Sequence, residues 1–290
     1  MTKKTLKTLL GDYPMTEPLK SGKVLSDLLS LEYADYPTVH RGFKPAVREL
    51  AFDVFEIAIV TFLMAKAEGV PITLLPTLVM GRYQHPYLLY NAERGELKPR
   101  DLEGKRVAMR AWTVTTVTWI RGLLANDYGV DLEKIQWFTQ EDAHVPGFKD
   151  PEGVTRLPAD VDITELLLNG DVEAAVIPGP NPDPRLKPIF GDPDAEAAAW
   201  AAKHDALHVN HYVAVKTALA KAEPEIVAEV TRMLTESKQM AGLPKPGTPD
   251  TNLIGIEDNR RSLEIMIDNC YQQGLIPERY SVDSLFDPNT

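Results

Sequence analysis

"RVAMRAWTVTTVTWIRGLLANDYGVD", residues 106 to 131, changes its own rules partway along. It opens as a short apolar run and passes an arginine, a tryptophan and three threonines. It then settles into helical spacing that predicts a helix from near Thr115. A strand handing over to a helix in this way is the repeating step of an α/β fold built on a mainly parallel sheet. Most such turns need one capping residue. Here Arg110, Thr113, Thr115 and Thr116 gather at a single turn. A helix amino end beside a cation is a ready anion site, and Arg110 has the planar fork that grips a carboxylate through two hydrogen bonds. The plainer alternative is that one threonine caps, another fills space, and Arg110 pairs with a surface acid.

Outward from this stretch the alternation continues. "TLKTLLGDY" (5–13), "DLLSLEYADY" (27–36), "ITLLPTLVM" (72–80), "YLLYNAE" (87–93), "IQWFTQ" (135–140), "VEAAVIPG" (172–179) and "LHVNHYVAVK" (207–216) read as strands. "FKPAVRELA" (43–51), "ITELLLNG" (163–170) and "DAEAAAWAAKH" (194–204) read as helices, as do two long amphipathic segments near 223–241 and 257–274. In "FDVFEIAIVTFLMAKAEG" (52–69), Phe55, Ile59, Phe62 and Leu63 fall at helical spacing, and Gly69 is the stop. Two sheets suit this length better than one, with helices on both faces. The polar stretches 91–104 and 203–207 are the expected crossings. They give one lobe of residues 1–92 plus 207–290 and a second of residues 93–206. Ligands of open α/β sheets bind beyond the carboxyl ends of strands, which places the expected site in a cleft between lobes.

Composition narrows the partners. The 290 residues are 44% apolar and 25% charged, ordinary for a globular protein, with a net charge of −11. No basic stripe offsets that charge, so nucleic acid is not an expected partner. No apolar run approaches a membrane span, and the first residues lack the apolar core of a signal peptide, so the expected address is the cytoplasm. The single cysteine, Cys270, excludes an internal disulfide and a cysteine-based zinc site. It lies in a helical apolar pattern as a core residue does.

Other chemistry-bearing residues cluster at strand ends. Arg82 and His85 sit in a loop between two expected strands, a position that carries function more often than its share. Asp53 and Glu56 stand where a strand turns into a helix. Glu56 is either a favourable charge at the amino end of an apolar helix or a cleft carboxylate. "QEDAHVPG" (140–147) supplies Glu141, Asp142 and His144, without the paired-histidine spacing of a metal site, so no metal is expected. In "LHVNHYVAV", His208 and Asn210 share one strand face and His211 takes the other. His211 is the one favoured for the cleft, because His208 lies nearer the linker. There is no glycine-rich phosphate loop, serine elbow or catalytic-cysteine context.

Assembled in order, these blocks resemble the 4,5-dihydroxyphthalate decarboxylase family, itself similar in fold to the type II periplasmic-binding proteins. The resemblance runs from about Phe52 to Lys238. It is carried by "FDVFEIAIVTFLMAKAEG", "MGRYQHPYLLYNAERG", "PNPDPRLKPIF" and "HVNHYVAV", and most specifically by "DLEGKRVAMRAWTVTTVTWIRGLLANDYGVD" with "EDAHVPGFKDP". It implies removal of one carboxylate from a small dihydroxylated aromatic dicarboxylate, giving protocatechuate and CO2. The ring hydroxyl para to the departing group supplies electrons, so no pyridoxal, thiamine or flavin cofactor is called for. Arg82, Arg110, Thr113, Thr115 and Thr116 would bind the carboxylates. The proton for the ring carbon would come from His211, then His85, then His144, with Glu56 as an acid if burial lifts its pKa. The rival is a solute-binding protein of the same fold that captures a small acid without chemistry. Association into a homo-oligomer stays open.

Overall fold

The structure is a computed structural model and describes residues 3–289. The elements begin with β1 (Lys4–Leu9), α1 (Glu17–Lys20), β2 (Leu29–Tyr33), α2 (Phe43–Arg48), β3 (Val54–Ala58), α3 (Ile59–Ala67) and β4 (Ile72–Gly81). They continue with β5 (Leu88–Asn91), β6 (Arg106–Met109), α4 (Thr115–Asn126), β7 (Gln136–Thr139), β8 (Thr155–Arg156), α5 (Ile163–Asn169), β9 (Ala174–Val176), β10 (Leu186–Pro188) and α6 (Pro193–His204). The chain closes through β11 (Val209–Lys216), α7 (Thr217–Ala222), α8 (Pro224–Met240) and α9 (Ile256–Gln272).

These elements form two compact units. One takes the chain up to Arg82 and again from Val209; the other is Tyr83–His208. The first crossing therefore falls at 82–83 rather than within 91–104, and the second at 208–209 rather than within 203–207. The reason is pairing. β5 hydrogen-bonds to β9 and β10 and so joins the second sheet, carrying the boundary back in front of it.

The first unit holds the sheet β2-β1-β3-β11-β4. β1 is parallel to β2 and β3, while β11 runs against both β3 and β4. The second unit holds β10-β5-β9-β6-β7-β8, in which β5 is the reversed strand. Both sheets are thus mainly parallel by strand direction and mixed by pairing. The reversed strand in each is the first one after the chain changes unit, where no helical crossover sets a parallel return. Leu6, Met15, Val54, Val213, Val230 and Leu234 centre the first core, and Leu89, Ala108, Leu167 and Leu186 the second. α8 packs on α1 and α7, and α9 on α3.

Most strands and helices lie where the hydrophobic periods put them. The segment 52–69 is the main correction. Helical spacing reaches back to Phe55, but Val54–Ala58 is a strand, and the helix begins at Ile59. β3 is an interior strand of the sheet, and all five of its residues are buried, so both faces are covered and the alternation that marks a half-exposed strand is erased. Glu56 is consequently mid-strand, not at a helix start. β8 and β10 escape a sequence reading because two or three residues show no period. Cys270 is buried in α9. No described helix is long and apolar enough to cross a membrane.

Candidate active site

In the first unit the sheet register explains how two distant polar residues meet. Val213 of β11 lies opposite Glu56 of β3, and His211 lies opposite Ala58. His211 and Val213 share a strand face, so His211 is the diagonal same-face neighbour of Glu56. His211 Nδ1 stands 2.6 Å from Glu56 Oε1. The same oxygen accepts the Tyr13 hydroxyl at 2.7 Å, and Glu56 Oε2 accepts the Gly11 N–H at 2.8 Å. The Glu56 side chain is fully buried, whereas that of His211 is 13% exposed.

A buried carboxylate survives only when donors converge on it. The Gly11 N–H and the Tyr13 hydroxyl donate to Glu56, and in the tautomer that carries its hydrogen on Nδ1, His211 is the third donor to the same carboxylate. The free position of the imidazole is then Nε2, at the opposite edge of the ring. Phe43 stands edge-on to that ring at 5.2 Å. Burial and the Glu56 carboxylate push the Tyr13 phenol well above its ordinary pKa, and the Arg82 guanidinium is near enough to oppose the rise. The same unit thus presents an oriented imidazole and a half-buried cation. Asp53 has a structural role, pairing with Lys216 at 2.8 Å and accepting the Lys7 N–H.

In the second unit β6 hands over to α4, which starts at Thr115. Thr113, Thr115 and Thr116 are buried, and the cap position is Val114, with no side chain capping the helix. The cap role weighed for a threonine is therefore unfilled, and the positive end of the helix dipole is retained. Arg110 is partly exposed, its Nε 4.0 Å from Glu141 Oε2, a loose pairing with a surface acid. Asp142 pairs with Arg156 at 2.9 Å, while His144 is half-buried in the loop between β7 and β8. Among the described residues no group of three or more His, Cys, Asp or Glu side chains is gathered to hold a metal ion.

His85 also lies in this second unit, in an aromatic box. Its ring stacks on His208 at 5.4 Å and meets Phe190 edge-on at the same distance. His208 in turn stacks on Trp119 at 4.3 Å, with Trp200 edge-on at 4.2 Å. His208 Nδ1 accepts the Gln84 N–H at 3.0 Å. Burial drives both imidazoles down, His85 to about 4 and His208 well below its ordinary value. Burial thus holds the His85 imidazole in its neutral form near pH 7.

Two residues of interest escaped the sequence reading. Tyr13 follows β1 in "GDYP", where the one hint is an aromatic two positions after a glycine at a strand end. Arg121 is a charge inside the apolar run of α4. It is buried, donates from Nη2 to the Trp112 carbonyl at 2.8 Å and stacks on that indole at 3.7 Å.

No protein-family model matches the chain. Among curated proteins it is similar to a 4,5-dihydroxyphthalate decarboxylase from Comamonas testosteroni, 26% identical over 301 residues that span 98% of this chain and 90% of that one. A second protein of the same description, from Pseudomonas putida, is 24% identical over 222 residues, 69% of this chain and 82% of that one. The family resemblance read in the sequence is therefore what the comparison finds. Among solved structures, the periplasmic aliphatic sulphonate binding protein SsuA from Escherichia coli superposes with a TM-score of 0.63 at 12% identity, covering 98% of each chain. The desulfurization enzyme DSZB gives 0.55 at 12% identity, covering 99% of this chain and 97% of that one. The Candida albicans CA3427 product, described as having the generic periplasmic binding protein fold, gives 0.55 at 13% identity, covering 100% of this chain and 96% of that one. At such identities these likenesses show the fold alone: an α/β protein of the type II periplasmic-binding kind.

Proposed function

We propose that the protein is a cofactor-independent, cytoplasmic carboxy-lyase of aromatic catabolism. It removes one carboxylate from 4,5-dihydroxyphthalate to give protocatechuate and CO2. The observation that carries this reading is the buried Glu56 carboxylate holding His211 by Nδ1. The relatives named as 4,5-dihydroxyphthalate decarboxylases support the substrate class.

The chemistry follows from that pair. Imidazole is the side chain suited to proton transfer near neutral pH, and Glu56 fixes its orientation. The ring hydroxyl para to the departing carboxylate pushes electron density to the ipso carbon, which takes a proton from His211 Nε2. The C–C bond then breaks, its electron pair restores aromaticity, and CO2 leaves. His211 is reprotonated from water, so the balance is one proton consumed per CO2 released from the carboxylate. The substrate's own hydroxyl is the electron source, which is why the step calls for no added electron sink. Arg82 is the cation best placed in this unit to hold a carboxylate. The amino end of α4, with Arg110, Thr113, Thr115 and Thr116, is a second anion-binding candidate within its own unit. His144, half-buried in the loop between β7 and β8, follows His211 as a further candidate donor.

The likeness to sulphonate-binding proteins favours one other reading, capture of a small acid without chemistry. Incubating the purified protein with 4,5-dihydroxyphthalate separates the two. Our reading expects catalytic release of CO2 and accumulation of protocatechuate. Stoichiometric binding with the diacid recovered intact would support capture instead.

A further inference from the structure

Tyr13 belongs to no candidate set read from the sequence, yet its hydroxyl shares Glu56 Oε1 with His211. The loop that carries it is built for that contact. Thr16, fully buried, donates its hydroxyl to the Gly11 carbonyl at 2.7 Å and accepts the Tyr13 N–H at 3.0 Å. The turn after β1 is thereby pinned, with Gly11 and Tyr13 both directed at Glu56. Gly11 is constrained as well. A Cβ there would stand 2.7 Å from Tyr13 Cε2 and 2.8 Å from Cζ and the hydroxyl oxygen, so any side chain at position 11 drives the phenol off the carboxylate.

We propose that Tyr13 is a positioning residue that sets the strength of the Glu56–His211 contact, with Gly11 as the space that admits its ring. This deepens the decarboxylase reading and rests on it for the role of His211. Two donors on one carboxylate oxygen compete for its charge, so the phenol weakens the pull of Glu56 on the imidazole. A less tightly held imidazolium is the stronger acid and gives its proton more readily to carbon. The phenol is a constant donor, because burial and the carboxylate keep its proton on. Around the pair stand Glu56 from β3, Tyr13 and Asp12 from the loop after β1, and Arg82 after β4. α2 adds the ring of Phe43.

The test is the Nδ1–H proton resonance of His211 in the full-length, histidine-labelled protein, assigned by its loss in His211→Asn. Tyr13→Phe removes the competing hydroxyl, and Gly11→Ala displaces it. In both variants the resonance should move further downfield as the contact with Glu56 strengthens. In Tyr13→Phe, kcat should fall about tenfold with KM little changed, the scale of one lost charge-assisted hydrogen bond. The alkaline fall of kcat should also move to higher pH. A resonance at the parental position in both variants would overturn the positioning role, whatever the turnover. A shifted resonance in a protein that never releases CO2 would support the positioning and contradict the decarboxylase reading, so the two can fail separately.

Discussion

Glu56 Oε1 and His211 Nδ1 lie 2.6 Å apart although 155 residues separate them along the chain. They meet because β11 returns to the first sheet beside β3, antiparallel, in a register that makes them diagonal neighbours on one face. The fold thus places a fully buried carboxylate against an imidazole that keeps some exposure. That asymmetry suits a proton donor whose far nitrogen must reach a substrate.

Glu56 should also matter for stability. Glu56→Ala strands the Gly11 N–H, the Tyr13 hydroxyl and His211 Nδ1 in a buried place, and should cost about 3 kcal/mol of unfolding free energy. Glu56→Gln keeps an acceptor and the side-chain volume, and should cost less. Urea unfolding of the parent and both variants checks the order.

The aromatic box of the second unit should make the protein acid-sensitive. His85 is held neutral when folded, with a pKa near 4, against about 6.5 in an unfolded chain. Between those values the unfolded state binds more protons, so this contribution is fully present above about pH 6.5 and is lost as pH falls toward 4. The loss from His85 should be about 2–3 kcal/mol, with His208 adding in the same direction. Denaturant midpoints at pH 7 and pH 4.5 should converge in His85→Phe relative to the parent. An equal acid loss in both proteins would remove His85 from this role.

Much of this was legible in the sequence, and the misses share one cause. The turn at 106–116 declared its strand, its helix start at Thr115 and its cluster of hydroxyls through changing period alone. His211 was visible as a polar residue in an apolar strand and Glu56 as an acid at the start of an apolar run, but their contact depends on register, which no local pattern encodes. The position of Glu56 was misjudged because a strand buried on both faces shows no alternation. His85 read as a loop histidine at a strand end, and nothing local reveals that His208, Phe190, Trp119 and Trp200 enclose that corner. Tyr13 went unseen because its partner lies 43 residues away on another strand.

The anion-binding residues can be separated by calorimetry with phthalate as the ligand. Arg82→Ala should weaken binding and raise KM for the diacid, because a desolvated carboxylate loses its cation. Arg110→Ala should cost about 2 kcal/mol of affinity, and Arg110→Lys should recover part of that, lacking the planar fork. Unchanged affinity in Arg110→Ala would confine that residue to its loose contact with Glu141.

Whether His211 held by Glu56 protonates the ring is decided by turnover of 4,5-dihydroxyphthalate by His211→Asn, measured beside its binding. Asparagine keeps a polar group of similar reach without an acid that titrates near neutrality. The variant should bind the diacid with nearly parental affinity while its kcat for CO2 release falls by about 10² to 10⁴. Protocatechuate formed by His211→Asn at the parental rate would contradict protonation by His211.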